Sequence, residues 1–168
     1  MFTSQTFPPQ DNPKLQPSIL PISTEAKTKN VLILNQVLAN LLDLESQYRV
    51  AHWNISGIEF MFLHQLFSNL YEKTSKYADT TGELIRSFSG MATGTVRDSA
   101  RDTKLTEFDI SQYKAYPYLN QLCVAVAMTV RDILICLSDC QDMITSNYLV
   151  DLATNLSKDL YLLESHLR

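Results

Sequence analysis

After Pro21 the chain contains a single proline, Pro117, in the 147 residues that follow. Glycine is equally scarce, with four in all. Strand-rich folds turn on many Gly- and Pro-rich loops, so this distribution points to an all-α fold. The remaining prolines, Pro8, Pro9, Pro13, Pro17 and Pro21, fall in a polar stretch without an apolar period. Residues 1–22 therefore read as a flexible or surface-draped N-terminal tail, and residues 23–168 as one folded domain of ordinary size.

Apolar residues then recur at steps of three and four. Leu34, Leu38, Leu41, Glu45, Tyr48 and His52 form one stripe of a first helix, capped by Ser23 or Thr24 and broken at Ser56-Gly57. A second helix runs from about Ile58 to Gly90 through Leu63, Phe67, Leu70 and Ile85. Residues 90–110 read as a long connection with a short helix near Val96–Asp102. A third helix is expected over about Pro117–Asp142, and a fourth from Thr145 or Ser146 to the end. Four long helices with one long crossover between the second and third predict a ferritin-like four-helix bundle rather than an up-down-up-down one.

The formal net charge is −4, which excludes a strongly basic nucleic-acid footprint over the whole chain. The most apolar run, Leu122–Leu137, is interrupted by Arg131 and Asp132, so no membrane-spanning helix is expected. The N-terminus lacks the pattern of a secretory signal. Three cysteines, with Cys136 and Cys140 four apart, form no disulfide framework and no zinc spacing, and a reduced cytoplasmic setting is expected.

Among the three histidines, His52 lies five residues before Gly57 and His64 seven after it. Across an antiparallel turn they sit at nearly the same height. Asp79 and Glu83 follow on one face of the second helix, four residues apart. Two imidazoles and two carboxylates suit a divalent iron or zinc ion. Yet His64 and Asp79 are 15 residues apart on one helix, about 22 Å at the helical rise, whereas metal–ligand bonds are about 2 Å. The four can share a metal only if a second copy lies across a two-fold axis, giving two identical sites per dimer.

The set His52-Trp53-Asn54, Gly57, Phe60, Leu63-His64, Phe67, Asp79, Glu83 and Gly94-Thr95 resembles the Dps family, the DNA-binding proteins from starved cells, also called mini-ferritins. The spacings of 12, 15 and 4 match its ferroxidase motif residue by residue, and a looser similarity extends over the third and fourth helices. The resemblance implies a homo-dodecameric shell with inter-subunit di-iron sites that oxidise Fe(II), preferably with hydrogen peroxide rather than O2, and store Fe(III) mineral. It implies that His52 and His64 come from one subunit and Asp79 and Glu83 from its two-fold mate, that Glu83 bridges or holds the tighter iron, that Zn can substitute, and that Trp53 packs beside the site and quenches radicals.

The chain also departs from that family. Where members carry acids after the second histidine it has Gln65 and Ser68, and the first acid beyond is Glu72. Near the end of the fourth helix, where a tryptophan is usual, it has Tyr161-Leu162-Leu163. Asp132, Asp139 and Asp142 are expected near the end of the third helix as a solvated face. The family reading of Asp139 and Asp142 is a pore for iron entry, although Met143-Ile144 follow. Met128 and Met143 read as core filler, Cys136 and Cys140 as buried thiols, and His166 as solvated. The alternative function is a nucleoid-associated DNA-compacting protein. Residues 1–30 carry Lys14, Lys27 and Lys29 against Asp11 and Glu25, and the C-terminus has no basic extension. A shell of twelve would carry −48, twelve times −4, so weak or absent DNA binding is expected.

Overall fold

A computed structural model describes residues 13–111 and 114–168. Among them every regular element is a helix: α1 (Thr24–Asn54), α2 (Phe60–Ser87), the short α3 (Val96–Asp102), α4 (Ala115–Asp139) and α5 (Met143–Ser165). The expected four long helices and the short crossover helix are all present. Of the N-terminal stretch, residues 1–12 lie outside the described residues. Beyond them, Leu15, Leu20 and Ile22 rest on the bundle, and the Gln16 N–H donates to the Ser89 carbonyl at 3.0 Å.

The Ser23 hydroxyl accepts the Ala26 N–H at 3.2 Å and starts α1. Ile55, in an extended conformation, ends it, and Gly57 at φ +111° turns the chain back, a conformation in which a side chain is strained. Ile58 and Glu59 are spent in this turn, so α2 starts at Phe60 rather than Ile58. At its other end Ser89 takes a positive φ of 66°, so α2 stops at Ser87 instead of reaching Gly90. There the Val31 side chain packs directly on the Gly90 backbone: a Cβ on Gly90 would fall 2.4 Å from a Val31 methyl. α1 and α2 are thus clamped antiparallel along their length.

Leu34, Leu41 and Tyr48 of α1, Leu63, Phe67 and Ile85 of α2, Leu122 and Ile133 of α4, and Leu149, Leu156 and Leu163 of α5 fill the core. Burying such side chains supplies the main stabilisation, about 1.5–3 kcal/mol each. α4 is apolar and long enough to cross a membrane by length and composition, with a mean hydropathy of 1.7 over its best window. Here it packs against α5 and α1, and its Pro117 falls in the first turn, where no backbone donor is missed.

The crossover is fastened by a polar row on α1. Gln36 Nε2 donates to the Asp102 carbonyl at 2.8 Å, Asn40 Oδ1 accepts the Lys104 N–H at 3.0 Å, Thr103 donates to Asp43 at 2.8 Å, and Gln47 Nε2 donates to the Thr106 carbonyl at 3.0 Å. Asn40 also donates to Asp132 at 3.1 Å. Asp132 is therefore buried and hydrogen-bonded, not part of a solvated face.

The α4–α5 corner also differs from expectation. Asp142 Oδ1 accepts the Ile144 and Thr145 N–H groups at 2.9 and 3.0 Å, and Oδ2 accepts Asn30 Nδ2. An N-cap must stand outside the helix it caps, so α4 ends at Asp139 and α5 begins at Met143, ahead of Thr145. Burial raises the Asp142 carboxyl, but hydrogen bonds from Thr145, Asn30 and Cys140 outweigh it and hold it below the usual carboxylate range. Met143 is exposed rather than core filler, and Met128 is half-buried. Cys136 is buried, whereas Cys140 is only half so.

Asp159 is the most deeply buried of the charged side chains among the described residues. Asp159 is 2% exposed and accepts Lys73 Nζ at 2.6 Å. Its second oxygen and the buried Tyr48 hydroxyl have no hydrogen-bond partner. Burial pushes the Asp159 carboxyl above its ordinary value, and Lys73 only partly offsets this.

Candidate metal centre

His52 lies in the last turn of α1 and His64 in the second turn of α2, on either side of the Gly57 reversal. The turn brings them into ring contact: the centroids are 3.8 Å apart and the planes 22° from parallel. Each ring is tied to the other's backbone. His52 Nδ1 donates to the His64 carbonyl at 2.8 Å, and His64 Nδ1 donates to the His52 carbonyl at 2.9 Å. A carbonyl oxygen only accepts, so both Nδ1 atoms carry a proton, and in the neutral ring this tautomer leaves the lone pair on Nε2. A backbone carbonyl fixing tautomer and ring orientation is the usual support of a metal-ligating histidine. Phe60 stacks on His64 at 4.9 Å.

Asp79 and Glu83 stand on the exposed side of α2. They line an open groove of about 700 Å³ with Leu38, Glu45, Arg86 and Gly94. The structure thus joins the two histidines and the two acids as separate pairs and does not bring the pairs together. Among the described residues no three His, Cys, Asp or Glu side chains converge as a metal cage within the chain. Arrangement of all four around one ion requires a second copy, as the spacing along α2 dictates.

Two further side chains at the histidine pair were not evident from the ligand spacing. Tyr71 sets its ring edgewise against His52, with centroids 5.8 Å apart, and the Arg49 guanidinium lies 5.4 Å from the centre of the Tyr71 ring. Tyr71 follows His64 by seven residues and so shares its face of α2, which is the signal that marks it. Trp53, by contrast, is 66% exposed and makes no ring contact with either histidine. Gln65 is exposed and donates to Asn69 at 2.8 Å. Of the two acids read as a pore, Asp139 is exposed beside Lys29 at 3.8 Å, and Asp142 is engaged as a cap.

The ferritin-like domain family matches residues 31–168. A "DNA protection during starvation protein" of Agrobacterium fabrum is 27% identical over 150 residues, covering 88% of this chain and 93% of that protein. DpsC from Streptomyces coelicolor superposes with a TM-score of 0.90 at 21% identity, covering 95% of each chain. A Dps protein from Vibrio cholerae O1, described as a member of a broad superfamily of ferritin-like diiron-carboxylate proteins, superposes with a TM-score of 0.84 at 21% identity, covering 90% of this chain and 96% of that one. The helical order, the crossover and the family match agree: the chain belongs to the ferritin-like domain family, and it is similar in sequence and fold to Dps proteins of that family.

Proposed function

We propose that the chain is the subunit of a dodecameric Dps-type shell that oxidises Fe(II) and stores the Fe(III) product. The observation that carries this is the histidine pair, two imidazoles locked by reciprocal backbone hydrogen bonds that leave both Nε2 atoms to ligate, in a chain whose matching acids lie about 22 Å further along α2. His52 and His64 of one subunit and Asp79 and Glu83 of its two-fold mate hold the metal. Imidazole suits Fe(II) and carboxylate suits Fe(III), so a mixed set takes iron reduced and releases it oxidised. Two irons deliver the two electrons that one hydrogen peroxide needs, which leaves no hydroxyl radical. Hydrogen peroxide is the preferred oxidant over O2, and Zn(II) can occupy the same ligands.

Gln65 and Ser68 supply no anion near the second iron. One tight and one weak Fe(II) per site are therefore expected, with slow mineral growth after fast first oxidation. Anaerobic calorimetric titration reads the stoichiometry, and light scattering of the same sample reads the mass, expected near 230 kDa for twelve chains of 19.1 kDa. A monomer that binds iron through His52 and Glu83 together would overturn the inter-subunit site. Two equally tight irons would show that other groups replace the missing acids.

The structure does not favour a mainly DNA-compacting role. The chain is net negative, and of its basic residues near the N-terminus Lys27 is buried and donates to the Leu20 carbonyl at 2.8 Å. No gel shift of duplex DNA is expected at physiological salt. A shift that persists there and weakens only as salt is raised further would contradict this.

A further inference from the structure

We propose that Cys136 and Cys140, at the end of α4, form a metal site separate from the histidine centre: a two-thiolate chelate for a soft monovalent ion, Cu(I). Both are free thiols, Cys136 in the last turn of α4 and Cys140 as its C-cap. Cys140 keeps a φ of −74°, close to the helical value, so its Cβ stays where a helical residue would place it. Side chains four residues apart share one helix face. That face is turned toward α1. One turn before Cys136, Asp132 accepts Asn40 Nδ2 at 3.1 Å, and Cys140 Sγ lies 3.9 Å from Asn30 Oδ1. Cys136 falls between these two contacts on the same row.

Spacing decides what can join the two sulfurs. Cβ atoms four residues apart on a helix are about 5–6 Å from each other. A disulfide needs about 3.5–4.5 Å, so direct oxidation would have to break the last turn. An ion between the sulfurs adds two bonds of about 2.3 Å, the length of a zinc–thiolate bond, and spans the wider gap with the turn intact. The ligand count then selects the ion. Among the described residues no three His, Cys, Asp or Glu side chains converge. Zn(II) takes four ligands, and Fe(II) favours imidazole and carboxylate, so neither is satisfied here. Cu(I) is soft, prefers thiolate and is complete with two ligands.

Charge and access agree. Binding exchanges protons for the ion: Cu(I) and two thiols give a bis-thiolate of net charge −1 and two protons, which leave to solvent, and no electron moves. Burial, with Asp132, Asp139 and Cys140 adding to it, raises the Cys136 thiol, and the Lys104 ammonium pulls the other way. The acids that oppose a bare thiolate attract the cation that replaces its proton. The Cys140 thiol hydrogen faces the Asp142 carbonyl and Oδ2, each at 3.6 Å. Ser146 and Asn30 already donate to those two oxygens, so loss of the thiol proton strands neither. Cys140 is half-buried and meets an ion from solvent first, and Cys136 is buried behind it.

The test uses the full chain in its assembled form, reduced and anaerobic, titrated with Cu(I) against a chromophoric Cu(I) chelator. The parent is expected to take one Cu(I) per chain, with two sulfur neighbours by X-ray absorption. Cys140→Ala and Cys136→Ala are each expected to lose it and Cys123→Ala to keep it, with light scattering to verify assembly. Cys140 is the less buried of the pair, so Cys140→Ala decides the matter even where Cys136→Ala fails to assemble. His52→Ala is expected to keep the Cu(I), and Cys140→Ala to keep the parental rate of Fe(II) oxidation, which separates this site from the iron centre. Retention of Cu(I) in Cys140→Ala with loss in His52→Ala would place the ion at the histidines and overturn the proposal. A parent that retains no Cu(I), binds one per two chains, or surrounds it with nitrogen and oxygen would overturn it as well.

Discussion

Shells of His52→Ala and of Glu83→Ala are expected to oxidise Fe(II) with hydrogen peroxide at least about 100-fold more slowly than the parent while assembling normally. Groups that merely hold a metal's ligands in place are worth about 10- to 100-fold, and on the proposed reading these two side chains are themselves ligands. Neither side chain holds the fold. His52 is only half-buried and Glu83 is exposed, and the core on either side of them is closed by Tyr48, Leu63 and Ile85. Truncation to Ala therefore removes chemistry more than packing. Stopped-flow absorbance of the Fe(III) product, with light scattering to verify assembly, gives the answer. Parental rates in both variants would show that oxidation occurs elsewhere.

The second large effect lies in the bundle core. Lys73→Met leaves the Asp159 carboxylate buried without its cation, and stranding one partner of a buried pair costs about 3–5 kcal/mol. Lys73 is itself about one third exposed, so water reaches the pair and about 2–3 kcal/mol is the better expectation. The pH dependence has a definite sign. In the folded protein burial already raises the Asp159 carboxyl above its ordinary value, and without Lys73 nothing offsets that. The folded variant then binds a proton more tightly than the unfolded chain. Its stability is highest below the unfolded carboxyl value and is lost as pH rises through the folded one. The deficit against the parent should be large at neutral pH and shrink in mild acid. Urea midpoints at the two pH values measure it. Lys73→Met combined with Asp159→Leu should recover most of the loss, because an apolar pair of similar volume needs no charge compensation. A single variant as stable as the parent at neutral pH would mean that Asp159 is already neutral there.

The helices and the ligand pairs were legible because both are written in periodicity. Apolar steps of three and four mark α1, α2, α4 and α5, and the 12-, 15- and 4-residue intervals place the histidines and acids without coordinates. What escaped was local polar chemistry with two possible partners. Asp142 resembles a last-turn acid of α4 until its oxygens are seen on the N–H groups of Ile144 and Thr145. Asp132 reads as solvated surface because its partner Asn40 lies on another helix, far off in sequence, and the bonds of Asn40 and Gln47 to the crossover leave no periodic signal. Tyr71 hides in the same way. Its position in the α2 pattern suits a core residue, and only the Gly57 turn puts its ring against His52.

Co-assembly of two defective chains tests the shared site most directly. One chain carries His52→Ala and His64→Ala, the other Asp79→Ala and Glu83→Ala, and each alone is expected to be inactive. In a mixed two-fold pair, one site receives both intact histidines and both intact acids, and the other receives none. Random equal mixing places intact ligands in about one quarter of all sites. Mixed shells are therefore expected to recover about one quarter of the parental Fe(II) oxidation rate per site. Mixed shells as inactive as either parent variant would contradict a metal centre built from two subunits.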